Sequence, residues 1–103
     1  MIISAGHNIA GPEVEAGLLS YAEIVECAVI GAPDDERGEV VQAHVVLQPG
    51  VERSSETAKR LQDHVMATIA PYKYPRSIIF VDALPKTAAG KIQRFKVKGE
   101  ARL

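Results

Sequence analysis

Two apolar, β-branched runs flanking one polar, turn-forming stretch constrain this chain more than anything else in it. Val25 to Ile30 reads Val-Glu-Cys-Ala-Val-Ile and is bounded by Gly31 and Pro33, which marks a strand. Val40 to Leu47 alternates Val41, Ala43, Val45 and Leu47 against Val40, Gln42, His44 and Val46, the period-two pattern of a strand with one buried face. Between them, Ala32-Pro33-Asp34-Asp35-Glu36-Arg37-Gly38-Glu39 is a polar loop with turn chemistry. The two strands are expected to pair antiparallel across it. His44, in mid-strand, reads as structural. Arg37, beside acidic neighbours, fits a surface ion pair as well as a ligand contact.

Helices are expected on either side of this pair. Pro12 in Gly11-Pro12-Glu13-Val14-Glu15 suits a first helical turn, where its missing N–H would be unpaired anyway. Val14, Leu18 and Tyr21 follow on one face. Glu13 and Glu15 read as helix-end residues favoured by the helix dipole rather than as acid–base catalysts. After Gln48-Pro49-Gly50, Ser54 or Ser55 can cap a second helix. Its apolar stripe is Ala58, Leu61, Val65 and Ile69, and Pro71 ends it.

Met1 to Ser4 reads as a short extended segment outside the sheet. An apolar strand beginning at residue one raises the expectation that the chain is part of a longer one. Gly6 fits either a plain turn or a close approach of backbone to ligand. Tyr72-Lys73-Tyr74-Pro75 is a rigid aromatic loop before a third strand, Ile78 to Val81. Its tyrosines fit packing on the sheet or facing a ligand equally well. The resulting fold class is α+β: a small three-stranded sheet with helices packed on it, an N-terminal extended segment and a C-terminal lysine loop. Residues 1–103 form one domain, closed by a short helix over 92–98.

That loop, Pro85-Lys86-Thr87-Ala88-Ala89-Gly90-Lys91, carries the most chemistry. Its small residues can enter a tight cleft and bring Lys91 with them. The chain has no complete set of catalytic partners for this lysine, so the reaction it serves is expected to lie in another domain.

Composition closes off several functions. The formal net charge of -1 gives no overall field to recruit nucleic acid or an anionic membrane. The tail from Lys86 to Arg102 is locally basic, as a solvated face would be. One cysteine, Cys27, excludes an intrachain disulfide and points to a reducing, cytoplasmic compartment. His7, His44 and His64 lack metal-ligand spacing, so no metal site is expected. No apolar run reaches the ~18–20 residues that span a bilayer.

Four blocks then acquire a common meaning. They are Ser4-Ala5-Gly6-His7-Asn8-Ile9 with Glu13-Val14-Glu15, Pro33-Asp34 through Arg37-Gly38-Glu39, Ala70-Pro71-Tyr72-Lys73-Tyr74-Pro75, and Leu84-Pro85-Lys86-Thr87 through Gly90-Lys91-Ile92. In this order and spacing they resemble the C-terminal domain of AMP-forming acyl-CoA synthetases, in the adenylate-forming superfamily. The resemblance covers essentially the whole chain. Asn8-Ile9-Ala10-Gly11-Pro12-Glu13 and Lys73-Tyr74-Pro75-Arg76 are most similar to medium-chain acyl-CoA, benzoate-CoA and 2-aminobenzoate-CoA ligases.

The resemblance implies a mobile lid that partners a large N-terminal domain and works in two half-reactions. Carboxylate and ATP, with Mg2+, give acyl-adenylate and pyrophosphate; CoA then displaces AMP. Lys91 matches the adenylation lysine. Ala5, Gly6 and His7 match positions lining the pantetheine tunnel, and Arg37 and Tyr74 match contacts to the nucleotide end of CoA. His7 stands where tyrosine is common, and Met66 where a relative has a CoA-contacting lysine. The isolated domain would be inactive and would bind neither substrate stably. Two alternatives stand beside this reading: an adenylation domain loading a carrier protein, and a stand-alone non-enzymatic α+β binding module. Exposed on its loop, Lys91 would also be open to acetylation, which erases its charge.

Overall fold

The long antiparallel pair forms as the alternation requires. In the computed structural model it joins β3 (Ile24–Asp34) to β4 (Gly38–Leu47), with Cys27 opposite Val45, Val29 opposite Ala43 and Gly31 opposite Val41. The structure describes residues 2–4, 6–36, 38–70, 73–90 and 92, and of His7 the backbone alone. Both strands outrun the expected limits, so the connecting loop shrinks to a tight turn after Asp34. Pro33 does not stop β3, because β3 lies at the sheet edge, where a missing N–H is tolerated.

The expected three-stranded sheet is corrected to five strands. Met1 to Ser4 was expected outside the sheet, yet β1 (Ile2–Ser4) pairs antiparallel with β2 (His7–Ile9), and Ser4 lies opposite Gly38 of β4. Gly6, at φ +83°, makes the turn between them. Three-residue strands are too short to show a period, so the residues after Gly6 gave no strand signal. β5 (Ser77–Phe80) adds to the other end of the same β4 edge, parallel, with Ala43 opposite Ile78. The order is β2-β1-β4-β3, with β5 beside β4.

Parallel strands need a crossover, and α2 (Ser55–Thr68) supplies it. The Ser54 hydroxyl caps it, accepting the Thr57 N–H at 3.2 Å. Leu61 and Val65 are buried as the stripe requires. One turn earlier Thr57, not Ala58, enters the core; its hydroxyl can be buried because it donates to the Glu52 carbonyl at 2.7 Å. α1 (Gly11–Leu19) contributes Val14 and Leu18. Val14, Leu18, Leu61 and Val65 cover Cys27, Val29, Val41, Ala43 and Val45 on one sheet face, the main core. The opposite face carries a second, smaller cluster of Ala28, Ile30 and Leu84.

Ser20 ties the helices together. Its Oγ lies 2.7 Å from the Gly17 carbonyl oxygen and 2.7 Å from His64 Nε2, so one hydroxyl caps the end of α1 and joins it to α2.

Glu15 corrects the expectation of a helix-end residue. It is buried, and its Oε2 accepts the Val29 N–H at 2.8 Å. Gly11, Val14, Glu15 and Leu18 follow the i, i+3, i+4, i+7 spacing, which places Glu15 on the inward stripe. Its carboxylate satisfies an edge donor that would otherwise invite another strand. Glu15→Ala strands that N–H, and the unfolding free energy should fall by about 1–3 kcal/mol. Urea denaturation measures this; Glu15→Gln, which keeps an acceptor oxygen, should lose less.

Candidate functional site

Two groups of candidate residues sit at opposite ends of β4. The first surrounds its start. Since Ser4 pairs with Gly38, the Gly6 turn lies beside the β3–β4 turn. Gly6 is exposed, and a Cβ built there would meet no atom within 4 Å. The opening above it is therefore free, while its positive φ disfavours any side chain. Glu39 holds this corner. Its Oε1 accepts the Ile3 N–H at 3.2 Å, and its carboxylate rests over Gly31, where a Cβ would lie 2.5 Å from Oε2.

Tyr74 joins the same end. It precedes β5, which runs parallel to β4, and the Arg76 N–H donates to the Val41 carbonyl at 2.9 Å. Tyr74 is half-buried against the main core, with the Arg76 guanidinium 5.0 Å from its ring centroid, within the range of a cation–π contact. Of the two alternatives left open by the sequence, packing is observed: the ring is half-buried against the core and also meets the Arg76 cation. Lys73 is ion-paired with Glu13 of α1. Ala5 and Arg37 lie outside the described residues, as does the His7 side chain.

The second group is at the far end. After β5, Leu84 inserts against Ala28 and Ile30. Lys86 then pairs with Ile92 in an antiparallel bridge that closes a short loop. Ile92 is thus bridged rather than opening the expected helix, whose residues 93–98 lie outside the described set. Within the loop the Gly90 N–H donates to the Thr87 carbonyl at 2.9 Å, and Gly90 turns at φ +86°. Thr87 to Gly90 are exposed. Lys91 lies outside the described residues, between Gly90 and Ile92. The loop's other lysine is committed: Lys86 Nζ stands 2.6 Å from Glu26 Oε2 on β3. Glu26 and Glu39 escaped the sequence reading, since their partners are remote in the chain.

Other charged groups stay local. The Arg60 guanidinium is pushed above its ordinary value, chiefly by its hydrogen bond to Glu23, and is a permanent surface cation. Among the described residues no three His, Cys, Asp or Glu side chains gather as a metal site. Among those residues no helix is long and apolar enough to cross a membrane. The Cys27 thiol is buried and directed at the Glu15 carbonyl, 3.7 Å away.

Comparison with known proteins adds the family. Residues 13–91 match the family model described as the AMP-binding enzyme C-terminal domain. The chain is 51% identical over 98 residues to an uncharacterised acyl-CoA ligase of Bacillus subtilis (strain 168), covering 95% of this chain and 18% of that protein. It is 44% identical over 100 residues to a mitochondrial acyl-coenzyme A synthetase of Rattus norvegicus, covering 95% of this chain and 17% of that protein. The solved acyl-CoA synthetase of Brucella canis superposes with a TM-score of 0.95 at 44% identity, over 98% of this chain and 19% of that one. An anthranilate CoA ligase solved with anthranoyl-AMP gives a TM-score of 0.88 at 42% identity, over 98% and 20% respectively. The chain therefore spans about a fifth of the length of these relatives, and it belongs to the AMP-binding enzyme C-terminal domain family.

Proposed function

We propose that this chain is the mobile C-terminal domain of an ATP-dependent acyl- or aryl-CoA ligase, acting beside a large adenylate-forming domain. In the first half-reaction a carboxylate oxygen attacks the α-phosphorus of ATP and pyrophosphate leaves. In the second the CoA sulfur attacks the acyl carbonyl and AMP leaves. Lys91 serves the first step. Carboxylate and α-phosphate are both anionic, so their approach needs a fixed cation; an ordinary lysine, with a pKa of ~10.4, is charged at neutral pH. Gly6, flanked by Ala5 and His7, leaves room for the pantetheine arm, and Arg37 and Tyr74 meet the nucleotide end of CoA.

The separation of the two groups carries this reading. Gly38 and Val46, the β4 residues opposite Ser4 and Glu26, are about eight residues of extended strand apart, roughly 25 Å. One rigid domain cannot apply both ends to one acyl carbonyl, so it must turn between steps. The names of its relatives, acyl-CoA ligases and an anthranilate CoA ligase, support thioester chemistry. Mg2+ would enter with the ATP phosphates. Alone, the domain would bind neither ATP nor CoA stably. We place the parent in the cytoplasm because the one cysteine of this chain, Cys27, can form no disulfide within it.

The test is an assay of the full-length parent against short-chain, medium-chain, benzoic and 2-aminobenzoic acids with ATP, Mg2+ and CoA. AMP, pyrophosphate and a CoA thioester should form in equal amounts. Transfer to a carrier-protein pantetheine arm instead of free CoA would favour the carrier-loading alternative. Formation of ADP, or no acid-dependent turnover at all, would overturn the ligase assignment.

A further inference from the structure

We propose that Glu26 and Lys86 are positioning residues that set where the loop at residues 87–90, which leads into Lys91, stands on the sheet. The inference rests on the ligase reading for its catalytic consequence, but its structural part stands on the stem alone. Lys86 has two attachments. Its backbone closes the loop by bridging to Ile92, and its ammonium contacts Glu26 Oε2 at 2.6 Å. The apolar attachments, Leu84 and Ile92 against Ala28 and Ile30, hold the stem down. Apolar contact is non-directional, so it allows the stem to slide or tilt. A short charge-assisted contact to a strand residue does not.

The placement of Glu26 makes the pair more than a surface contact. It stands opposite Val46 in the β3–β4 ladder, next to the bulge between Ile24 and Glu26, and its side chain is only 21% exposed. Lys86, at 41%, is the mobile partner drawn onto the rigid one. Between the stem residues, Thr87 to Gly90 are exposed and turn on the Gly90 N–H to the Thr87 carbonyl, a turn carried by the Lys86–Ile92 bridge. Its orientation is therefore inherited from the stem. This also gives the loop's two lysines different duties: Lys86 is neutralised at the stem and is not the charge offered to substrate.

A half-exposed ion pair adds little to global stability, yet a misplacement of about 1 Å can reduce a reaction about 10²-fold. Catalysis should therefore respond where stability does not. In the full-length parent, Glu26→Gln and Lys86→Met should each lower the turnover of acid-dependent pyrophosphate exchange about tenfold or more. The KM for ATP and the thermal midpoint should stay unchanged, and CoA should attack supplied acyl-adenylate at the wild-type rate. The swap Glu26→Lys with Lys86→Glu should recover most of the loss, the coupling a double-mutant cycle detects. Loss in Lys86→Met but not in Glu26→Gln would overturn the pairing and make Lys86 a substrate contact. Wild-type exchange in both single variants would overturn it outright.

Hydrogen exchange over residues 84–92 gives a readout independent of activity. Faster exchange in Glu26→Gln, reversed in the swap, supports the pair even in a parent that turns over no acid, a result that would count against the ligase reading instead. Unchanged exchange there overturns the pair whatever the activity.

Discussion

Lys91→Ala, in the full-length parent, is expected to slow formation of acyl-adenylate by about 10²–10³-fold, the usual effect of removing one preorganised charge partner from a transition state. CoA attack on supplied acyl-adenylate should proceed at close to the parent rate. The asymmetry follows from where charge develops. In adenylation two anions meet and pyrophosphate departs with more negative charge, so a fixed cation lowers the barrier directly. In thioester formation the carbonyl is already activated by AMP, and the loop bearing Lys91 belongs to the far end of β4. Pyrophosphate exchange measures the first step, and CoA consumption from synthetic adenylate the second. Equal loss in both assays would refute the division of labour. Lys91→Arg, which keeps a charge but changes its shape, should recover part of the exchange activity. An acetyl group on Lys91 should reproduce the alanine phenotype, since it removes the same charge.

The second large effect lies at the other end. Gly6→Leu should leave pyrophosphate exchange near the parent rate and cut thioester formation by roughly 100-fold, as expected when a reacting arm is held off its line of attack. Two contributions must be separated. Gly6 sits at φ +83°, so any side chain introduces backbone strain of about 1–2 kcal/mol. A Cβ there meets no atom within 4 Å, so the alanine variant brings no clash of its own. Gly6→Ala carries the strain with almost no bulk. The leucine effect beyond the alanine effect therefore reports obstruction of an incoming ligand. If alanine and leucine slow the thioester step equally, the tunnel role for Gly6 falls and strain alone explains the loss.

How much of this could be read from residues alone depended on the length of the pattern available. β3 and β4 were legible because Val41, Ala43 and Val45 alternate over a long stretch. α2 was legible from Leu61 and Val65 together with its Ser54 cap. The β1–β2 hairpin was not, because Ile2 to Ile9 holds two three-residue strands around one glycine. The place of β5 was not either: Ser77 to Phe80 looks like a strand, but nothing local says which edge it joins or that it runs parallel. Glu15 was misjudged because a rule about helix ends outweighed its position on the buried stripe.

The site divides in the same way. Gly6 has the positive φ that a glycine at a turn permits, and Tyr74 has one half in the core. The roles proposed for them, and for Ala5, His7, Arg37 and Lys91, rest on the resemblance of ordered blocks rather than on any chemistry visible in the residues themselves. Glu26 and Glu39 were invisible for a different reason. Each acts through a partner brought close only by the folded sheet.

The length of β4 has a final consequence. On the proposed function, a beam of that span would make the two half-reactions mutually exclusive in time, because presenting one end would withdraw the other. The sheet would then act as an interlock: no thiol can reach the acyl carbonyl while the ammonium is seated, and no second ATP can be processed while the thiol arm occupies its passage. Sequence and order in the catalytic cycle would be enforced by the stiffness of a single strand rather than by affinity.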